Sequence, residues 1–399
     1  MSEVKLGDCR EVMRGMADCS VDAFVTDPPY ELGFMGKAWD SSGIAYDATV
    51  WAEALRVAKP GAHLLAFGGT RTFHRLTCAI EDAGWEIRDC VMWVYGSGFP
   101  KSLDVSKAID KAAGAEREVV GSWKPTGTAR PKSDGSGGYR AKTGGMGSHD
   151  DALVGTLPIT APATDAARQW SGWGTALKPA WEPIIVARKP LTGTVAANVQ
   201  QFGTGAINVD GCRVGTDGGG WNGLGSTHNE AQWRLNNPDG MKRNEGRWPA
   251  NLIHDGSDEV VGLFPTDSDK SAARFFYCAK ASKRDRDMGL SSSTPITPAA
   301  DMVDRTEGSA GMNSPRAGAG RTSGSRNDHP TVKPIALMRY LCRLVTPPGG
   351  LVFDPFVGSG STLVAAKLEW FQASGAEMRP EAVAIAQARV DGVQHGGDI

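Results

Sequence analysis

The chain has 399 residues, of which 40% are hydrophobic and 22% are charged, a composition typical of a globular protein with about two or three domains. No apolar run approaches the roughly 18 residues of a membrane-spanning helix, and the start lacks the apolar core of a secretion signal, so we expect a cytoplasmic protein. The net charge of -2 does not by itself favour a nucleic-acid partner. The seven cysteines lack the spacing of metal ligands, so we expect reduced thiols and no metal ion.

The first hundred residues alternate between strand and helix patterns. A buried apolar run over 21–26 stops at an Asp-Pro-Pro sequence, because consecutive prolines cannot donate to a β-ladder. The patterns that follow predict a helix over 51–59, a strand over 63–67, a helix over 72–83 and a strand over 85–93. This order is typical of an α/β fold with a mainly parallel sheet.

The middle of the chain differs from both ends. Residues 121–149 are rich in Gly, Ser and basic residues, and residues 291–328, rich in Ser, Gly, Pro and Ala, are expected to be poorly ordered. Between them, 181–187 has the pattern of a strand. Residues 270–287 contain six basic side chains and two acidic ones, interleaved with aromatic residues. These two basic stretches are either solvated loops or a surface for an anionic partner.

The last seventy residues return to alternating patterns. They predict a helix over 335–345, a strand over 351–353, a helix from Ser361 or Thr362 to about 368, a strand over 371–375 and a helix over 380–390. Both ends of the chain therefore predict the same α/β architecture.

The tetrapeptide 27–30, Asp-Pro-Pro-Tyr, follows the first buried strand. Asp27 offers a carboxylate acceptor, Pro28 a backbone carbonyl on a stiff backbone, and Tyr30 a flat aromatic face. Together they suit a planar ring with an exocyclic amino group, whose two protons the carboxylate and carbonyl would hold. Those bonds would aim the nitrogen lone pair at an electrophile. The alternative is a plain strand-to-loop turn capped by an Asp.

A second turn, over 354–360, has the sequence Asp-Pro-Phe-Val-Gly-Ser-Gly. Its glycines allow the backbone to approach a ligand at the carboxyl end of a parallel strand. No Gly-Lys-Ser/Thr follows, which disfavours ATP, whereas Glu377 at the end of the next strand is spaced to hold two ribose hydroxyls. Nicotinamide dinucleotides and S-adenosylmethionine both satisfy this arrangement.

The tetrapeptide 27–30, the segment 329–334 (His-Pro-Thr-Val-Lys-Pro) and the turn over 354–362 occur in this order. They resemble the motifs of the amino-methylating DNA methyltransferases, which act on adenine N6 or cytosine N4, and their order resembles the β class. The resemblance implies a Rossmann-like, mainly parallel seven-stranded sheet flanked by helices. This is the circularly permuted fold of class I S-adenosylmethionine-dependent methyltransferases, with an inserted target-recognition region.

The resemblance also implies a division of the chain. Residues 1–110 and 327–399 would form the two parts of the catalytic domain, and 111–326 the target-recognition region, from which 173–190 return to the sheet.

The resemblance implies a role for each matching residue. The transfer site would consist of Asp27, Pro28, Pro29 and Tyr30, with Tyr30 stacking on a flipped base. The cofactor site would consist of Asp8, Thr331, Lys333, Asp354, Phe356, Gly358, Gly360, Thr362 and Glu377. Within it, Glu377 would take the ribose hydroxyls, Asp8 would lie near the adenine, and Thr331 and Lys333 would neighbour the methionine carboxylate.

The implied cofactor is S-adenosylmethionine and the implied partner is double-stranded DNA, from which the target base must be extruded before direct methyl transfer. The predicted DNA contacts are Arg274, Lys280, Lys283, Arg284 and Arg286. Residues 221–247 are further candidates for reading bases. The resemblance alone also implies a homodimer.

Alternatives remain at this point. Asp27 favours adenine, because the cytosine enzymes more often carry Ser at this position, but cytosine N4 stays open. A nicotinamide-dependent oxidoreductase would leave the tetrapeptide unexplained, and a non-catalytic DNA-binding protein is a further alternative. No nuclease signature is evident, so we expect methylation without cleavage.

Overall fold

A computed structural model describes residues 2–33, 38–96, 102–123, 130–131, 139–140, 157–214, 247–264, 266–267, 270–271, 276–278, 280–291, 293–297, 326–329 and 331–394. The chain forms two compact units. The first consists of Met1–Gly98, Ala180–Pro295 and Thr331–Ile399, and the second of Phe99–Pro179 and Ile296–Pro330. The expected division into 1–110, 111–326 and 327–399 stays a prediction.

The elements follow one another as strands and helices through most of the chain. The strands are β1 (Ser2–Leu6), β2 (Val21–Thr26), β3 (Ala58–Phe67), β4 (Glu86–Val94), β5 (Val119–Trp123), β6 (Arg130–Pro131), β7 (Tyr139–Arg140), β8 (Leu157–Thr160), β9 (Trp181–Arg188), β10 (Leu252–His254), β11 (Thr266–Asp267), β12 (Lys270–Ser271), β13 (Phe276–Tyr277), β14 (Leu351–Asp354) and β15 (Gln372–Glu377). The helices are α1 (Cys9–Arg14), α2 (Ala48–Val57), α3 (Phe73–Asp82), α4 (Val105–Ala112), α5 (Asp165–Gln169), α6 (Val195–Phe202), α7 (Asp258–Val261), α8 (Lys283–Asp287), α9 (Ile335–Val345), α10 (Ser361–Leu368) and α11 (Pro380–Asp391). Short 3₁₀ turns lie at Ala38–Ser41, Ile44–Tyr46 and Asp210–Cys212.

The first unit is built on a nine-stranded sheet with the order β1-β15-β14-β2-β3-β9-β4-β10-β13. All neighbouring strands pair in parallel except β9, which runs antiparallel to both β3 and β4. The expected α/β fold with a mainly parallel sheet is confirmed. The sheet is wider than the seven strands expected, because β10 and β13 extend it beyond β4. These strands have three and two residues, too few to show a period of two in the sequence.

The two ends of the chain meet in the middle of this sheet. Strand β14 pairs with β2, with Val352 opposite Ala23 and Phe353 opposite Phe24. Because the two strands are parallel, their carboxyl ends lie at the same edge of the sheet. The turns that follow β2 and β14 are therefore neighbours.

Helices cover both faces of the sheet, and every residue of β2 is buried. One apolar layer includes side chains of α9, α10 and α11, and the other includes side chains of α2 and α3. Phe24 packs edge-on against Trp85 and Phe353, with ring centroids 5.8 and 5.9 Å away. Such aromatic contacts and the buried apolar area hold the two strands that carry the turns.

Strand β3 begins earlier than the sequence predicts. It starts at Ala58, whereas we expected a helix up to residue 59 and a strand only from residue 63. The register opposite β2 jumps from Ala58 to His63, so the residues between them form an irregularity in the strand. Gly61 has φ +78° there, a conformation that favours glycine.

The second unit contains helices α4 and α5 and the antiparallel pair of strands β5 and β8. Its buried Asp110 accepts hydrogen bonds from the Arg117 guanidinium (2.6 Å) and the Thr164 hydroxyl (2.8 Å). In neither unit do the described residues include a helix that combines the length and the apolar character needed to span a bilayer.

Candidate active site

The turn after β2 presents a buried carboxylate. Asp27 follows directly on the last strand residue, and its side chain is 17% exposed. Its Oδ2 accepts a hydrogen bond from Lys333 Nζ at 2.6 Å. Its Oδ1 is buried and has no hydrogen-bond partner among the described residues. A buried carboxylate oxygen without a donor is costly, so Oδ1 is an acceptor suited to an incoming N–H group.

The turn after β14 is joined to the first turn by a buried hydrogen bond. Thr26, the residue before Asp27, donates its hydroxyl to Asp354 Oδ1 at 2.6 Å. Asp354 also accepts from the Thr362 hydroxyl at 2.6 Å and from the Phe356 backbone N–H at 2.9 Å. Burial raises the pKa of Asp354 to about 6, against these opposing hydrogen bonds. Asp354 therefore fixes the shape of the glycine turn and ties it to the tetrapeptide.

The glycines of the second turn are required by backbone geometry. Gly358 and Gly360 have φ values of +54° and +85°. A Cβ atom on Gly375, in the neighbouring strand β15, would overlap the backbone carbonyl oxygen of Asp354. A Cβ atom on Gly360 would likewise crowd Ala386 of α11, so these glycines allow the turn to pack closely against its neighbours. Their role beside a cofactor stays a prediction.

Glu377 and Asp8 lie at the same edge of the sheet, because Leu6 in β1 pairs with Glu377 in β15. Glu377 accepts the backbone N–H of Gly358 at 3.0 Å, so it also shapes the glycine turn. Asp8 caps α1, and both of its oxygens accept hydrogen bonds from Arg10. These bonds to Arg10 lower the pKa of Asp8, with burial acting in the opposite direction.

A network of buried polar groups surrounds Lys333. Besides Asp27, the Lys333 ammonium donates to the Tyr30 hydroxyl at 3.1 Å and lies 3.5 Å from Glu182 Oε2. The hydroxyls of Tyr30 and Tyr95 donate to the two oxygens of Glu182 at 2.9 and 3.1 Å. Both carboxylates thus face one ammonium group.

Burial and charge compete in this network. Burial raises the pKa of Asp27 on balance, although the Lys333 charge opposes that rise. Burial alone would lower the pKa of Lys333, but Asp27 and Glu182 outweigh it and raise the pKa on balance. Burial alone would raise the pKa of Glu182, but Lys333 and the Tyr30 hydroxyl outweigh it and lower the pKa. Lys333 and Glu182 are therefore charged at neutral pH, and Asp27 faces a cation that favours its ionised form.

The predicted cofactor residues occupy different environments. Thr362 is buried on α10, Phe356 packs against Trp51 with ring centroids 6.2 Å apart, and Thr331 is exposed. The sequence argument placed Lys333 beside a cofactor carboxylate. In the structure Lys333 donates to Asp27, because the chain before α9 passes the carboxyl end of β2. A place for Lys333 beside a cofactor carboxylate stays a prediction.

The predicted DNA contacts are only partly described. Lys283, Arg284 and Arg286 lie on the short helix α8, and Lys280 Nζ lies 3.6 Å from the centroid of the Tyr95 ring. Arg274 lies outside the described residues, as do 221–246 and most of 121–149 and 291–328.

Sequence reasoning missed Glu182, Tyr95 and Gly375. Because β9 is antiparallel, its amino end, where Glu182 stands, lies at the edge that carries the carboxyl ends of the parallel strands. The available signal was an acidic residue within the apolar run 181–187. Its partners could not be read from the sequence, since they come from three distant segments.

A family model of DNA methylases matches residues 21–120 and 162–388, which is most of the chain. Among curated proteins, "Type II methyltransferase M.ScaI" of Streptomyces caespitosus is 33% identical over 75 residues, 19% of this chain and 25% of that protein. "Putative methylase YubD" of Escherichia coli (strain K12) is 40% identical over 72 residues, 18% of this chain and 31% of that protein. The chain thus matches at most about a third of the length of these two relatives.

Among solved structures, this chain is similar to the PvuII DNA methyltransferase, described as cytosine-N4-specific. The alignment covers 97% of this chain and 86% of that protein, with 12% identity and a TM-score of 0.43. Membership rests on the family match, whose residues include the tetrapeptide 27–30, Glu182 and the glycine turn. The chain belongs to the family of N6-adenine and N4-cytosine DNA methylases.

Proposed function

We propose that the protein transfers a methyl group from S-adenosylmethionine to the N6 amino group of an adenine extruded from duplex DNA. The observation that carries this proposal is the buried, partnerless Oδ1 of Asp27, one residue from the hydrogen bond that joins its turn to the glycine turn. The proposed acceptor for the amino group and the proposed cradle for the cofactor follow two adjacent strands, which supports the proposal.

In this proposal, Asp27 Oδ1 accepts one proton of the amino group and the Pro28 carbonyl accepts the other, while the base stacks on Tyr30. The Lys333 ammonium stays on Asp27 Oδ2, where its charge favours the ionised carboxylate against the effect of burial. Because both amino protons are held, the nitrogen lone pair is aimed away from the ring. Alignment and exclusion of water then supply most of the rate enhancement.

The residues of the glycine turn fit the proposed cofactor. S-Adenosylmethionine would supply an electrophilic methyl group. Gly358 and Gly360 give the turn its positive φ angles, and Phe356 follows Asp354 in it. Glu377 Oε1 accepts two hydrogen bonds from Arg379, whereas Oε2 accepts the Gly358 N–H and retains a lone pair for a ribose hydroxyl. We place Asp8 near the adenine and Thr331 near the methionine carboxylate. Lys333 we assign to the transfer site, since two carboxylates already face it.

Adenine is the first choice of base and cytosine N4 the second, because an amino group on either ring fits the same pair of acceptors. Asp27 favours adenine only by family tendency. Incubation with isotope-labelled S-adenosylmethionine and unmethylated duplex DNA, followed by digestion to nucleosides, tests both. Label in N6-methyladenine would support the proposal, and label in N4-methylcytosine would favour the second choice. Cofactor binding without label in DNA would refute transfer and favour a non-catalytic DNA-binding protein.

A further inference from the structure

The group of Asp27, Lys333 and Glu182 contains two carboxylates and one ammonium. Lys333 lies between them, 2.6 Å from Asp27 Oδ2 and 3.5 Å from Glu182 Oε2. Without Glu182 the pair of Asp27 and Lys333 would be neutral. With Glu182, the group has one net negative charge when both carboxylates are ionised, in a region where only 10% of the Lys333 side chain is exposed.

Glu182 is held rigidly in this place. Each of its oxygens accepts a tyrosine hydroxyl, from Tyr30 at 2.9 Å and from Tyr95 at 3.1 Å. Tyr95 is held in turn by the Lys280 ammonium over its ring. A carboxylate with two hydroxyl donors and an adjacent ammonium cannot move without breaking several bonds, so its charge is preorganised.

Methyl transfer moves positive charge toward this group. When a neutral amino nitrogen attacks a sulfonium methyl carbon, the N–C bond forms, the C–S bond breaks, and the positive charge passes from sulfur to nitrogen. A fixed net negative charge near that nitrogen lowers the energy of the transition state more than that of the ground state. The proton then released from nitrogen passes to Asp27 or to water.

We propose that Glu182 is a positioning residue of the transfer site, which orients Tyr30 and Lys333 around Asp27 and gives the group the net negative charge that favours charge transfer to the target nitrogen. This inference rests on the proposed function. Glu182 touches neither the base nor the cofactor in it, and acts through Lys333 and Tyr30.

Glu182→Gln is the decisive variant, because the amide has the same shape and can keep contacts with both tyrosines while the charge is lost. The target nitrogen would lie about one hydrogen bond beyond Asp27, some 6–8 Å from Glu182. At an effective dielectric constant of about 20, losing a unit charge at that distance from a half-developed positive charge lowers kcat roughly tenfold. The KM values for S-adenosylmethionine and DNA should change less than about threefold, since Glu182 contacts neither.

The pH profile separates this effect from a structural one. The charged and titratable groups facing Glu182 are Lys333, Tyr30, Tyr95, Lys280 and Asp27, with Asp255 near Lys280 and Asp354 near Asp27. The Glu182 charge raises the pKa of both Asp27 and Lys333. In Glu182→Gln, both the acid and the alkaline limb of kcat should therefore move to lower pH. Glu182→Asp keeps the charge and should leave both limbs in place even if kcat falls.

The matched control is Glu86→Gln at the start of β4, on the opposite edge of the sheet, where Glu86 pairs with Arg188. It should leave kcat and the pH profile unchanged. If Glu182→Gln folds and neither its kcat nor its pH profile of kcat differs from wild type, the inference is overturned. If Glu182→Gln does not fold, a shift of the pH profile in Glu182→Asp overturns it. Absence of methyl transfer by the wild-type protein would instead refute the proposed function, and with it this role.

Discussion

Replacing Asp27 by Asn tests the centre of the proposed site. The amide keeps the size and one carbonyl acceptor of the side chain but removes the negative charge beside the target nitrogen. Lys333 keeps Glu182 as a counter-ion at 3.5 Å, so we expect the variant to fold. Thr26, Asp354 and Thr362 keep their mutual hydrogen bonds, so cofactor binding should be unchanged.

The magnitude follows from the distance between carboxylate and nitrogen. At an effective dielectric constant near 20, the Asp27 carboxylate and a full positive charge on the nitrogen about 3 Å away attract each other by about 5 kcal/mol. A half-developed charge in the transition state is attracted by about half of that. This corresponds to a loss of about 10²-fold in kcat. Single-turnover transfer of labelled methyl groups to DNA, at saturating cofactor, measures it directly.

The control variant is Asp18→Asn, which removes an exposed carboxylate paired with Arg56. It should transfer methyl groups at the wild-type rate. Transfer by Asp27→Asn within about threefold of wild type would refute the assignment of Asp27 to the target amino group. If Asp27→Asn loses both methyl transfer and cofactor affinity, the two turns do not act independently, and the assignment of Asp27 to the amino group alone is refuted.

Three further predictions concern stability and DNA binding. Gly375→Ala should lower the free energy of unfolding by about 2–4 kcal/mol and weaken cofactor binding, because the added Cβ overlaps the Asp354 carbonyl; urea unfolding and calorimetric titration measure both. Burial lowers the pKa of His63 to about 4. Between this value and the unfolded pKa near 6.5, His63 binds a proton in the unfolded chain but stays neutral in the folded protein. The free energy of unfolding should therefore fall by about 2 kcal/mol between pH 7 and 5 through this residue, and a His63→Leu variant with an unchanged slope would contradict this. Arg284→Ala on α8 should reduce the slope of the logarithm of the DNA-binding constant against the logarithm of the salt concentration by about one, whereas the control Arg14→Ala on α1 should not. Equal slopes in wild type and both variants would argue against α8 as a DNA contact.

Local patterns were sufficient for several elements. Helices α9 and α10 match their predicted ranges, and each begins directly after a residue that ends the preceding segment, Pro334 or Gly360. Strand β2 likewise matches its apolar run. The two motifs were recognisable because the groups they offer, a carboxylate before prolines and glycines after a strand, lie within a few residues of one another.

Where local and tertiary forces compete, the sequence was a poorer guide. Lys59-Pro60-Gly61 has the composition of a loop, yet pairing beside β2 includes it in β3. Strand β10 has three residues and depends on pairing with β4, and β13 has two residues and depends on pairing with β10.

The sequence by itself determined the α/β architecture, the two turns and the residue types that suit an amino group and a cofactor. Only the tertiary structure decided that Lys333 lies on Asp27 and that Glu182 joins them. These three residues come from the turn after β2, from the antiparallel β9 and from the segment before α9, and no local pattern relates them. Their contact follows from the strand order, which places the start of β9 at the edge where β2 ends, and from the attraction of two buried carboxylates for one ammonium.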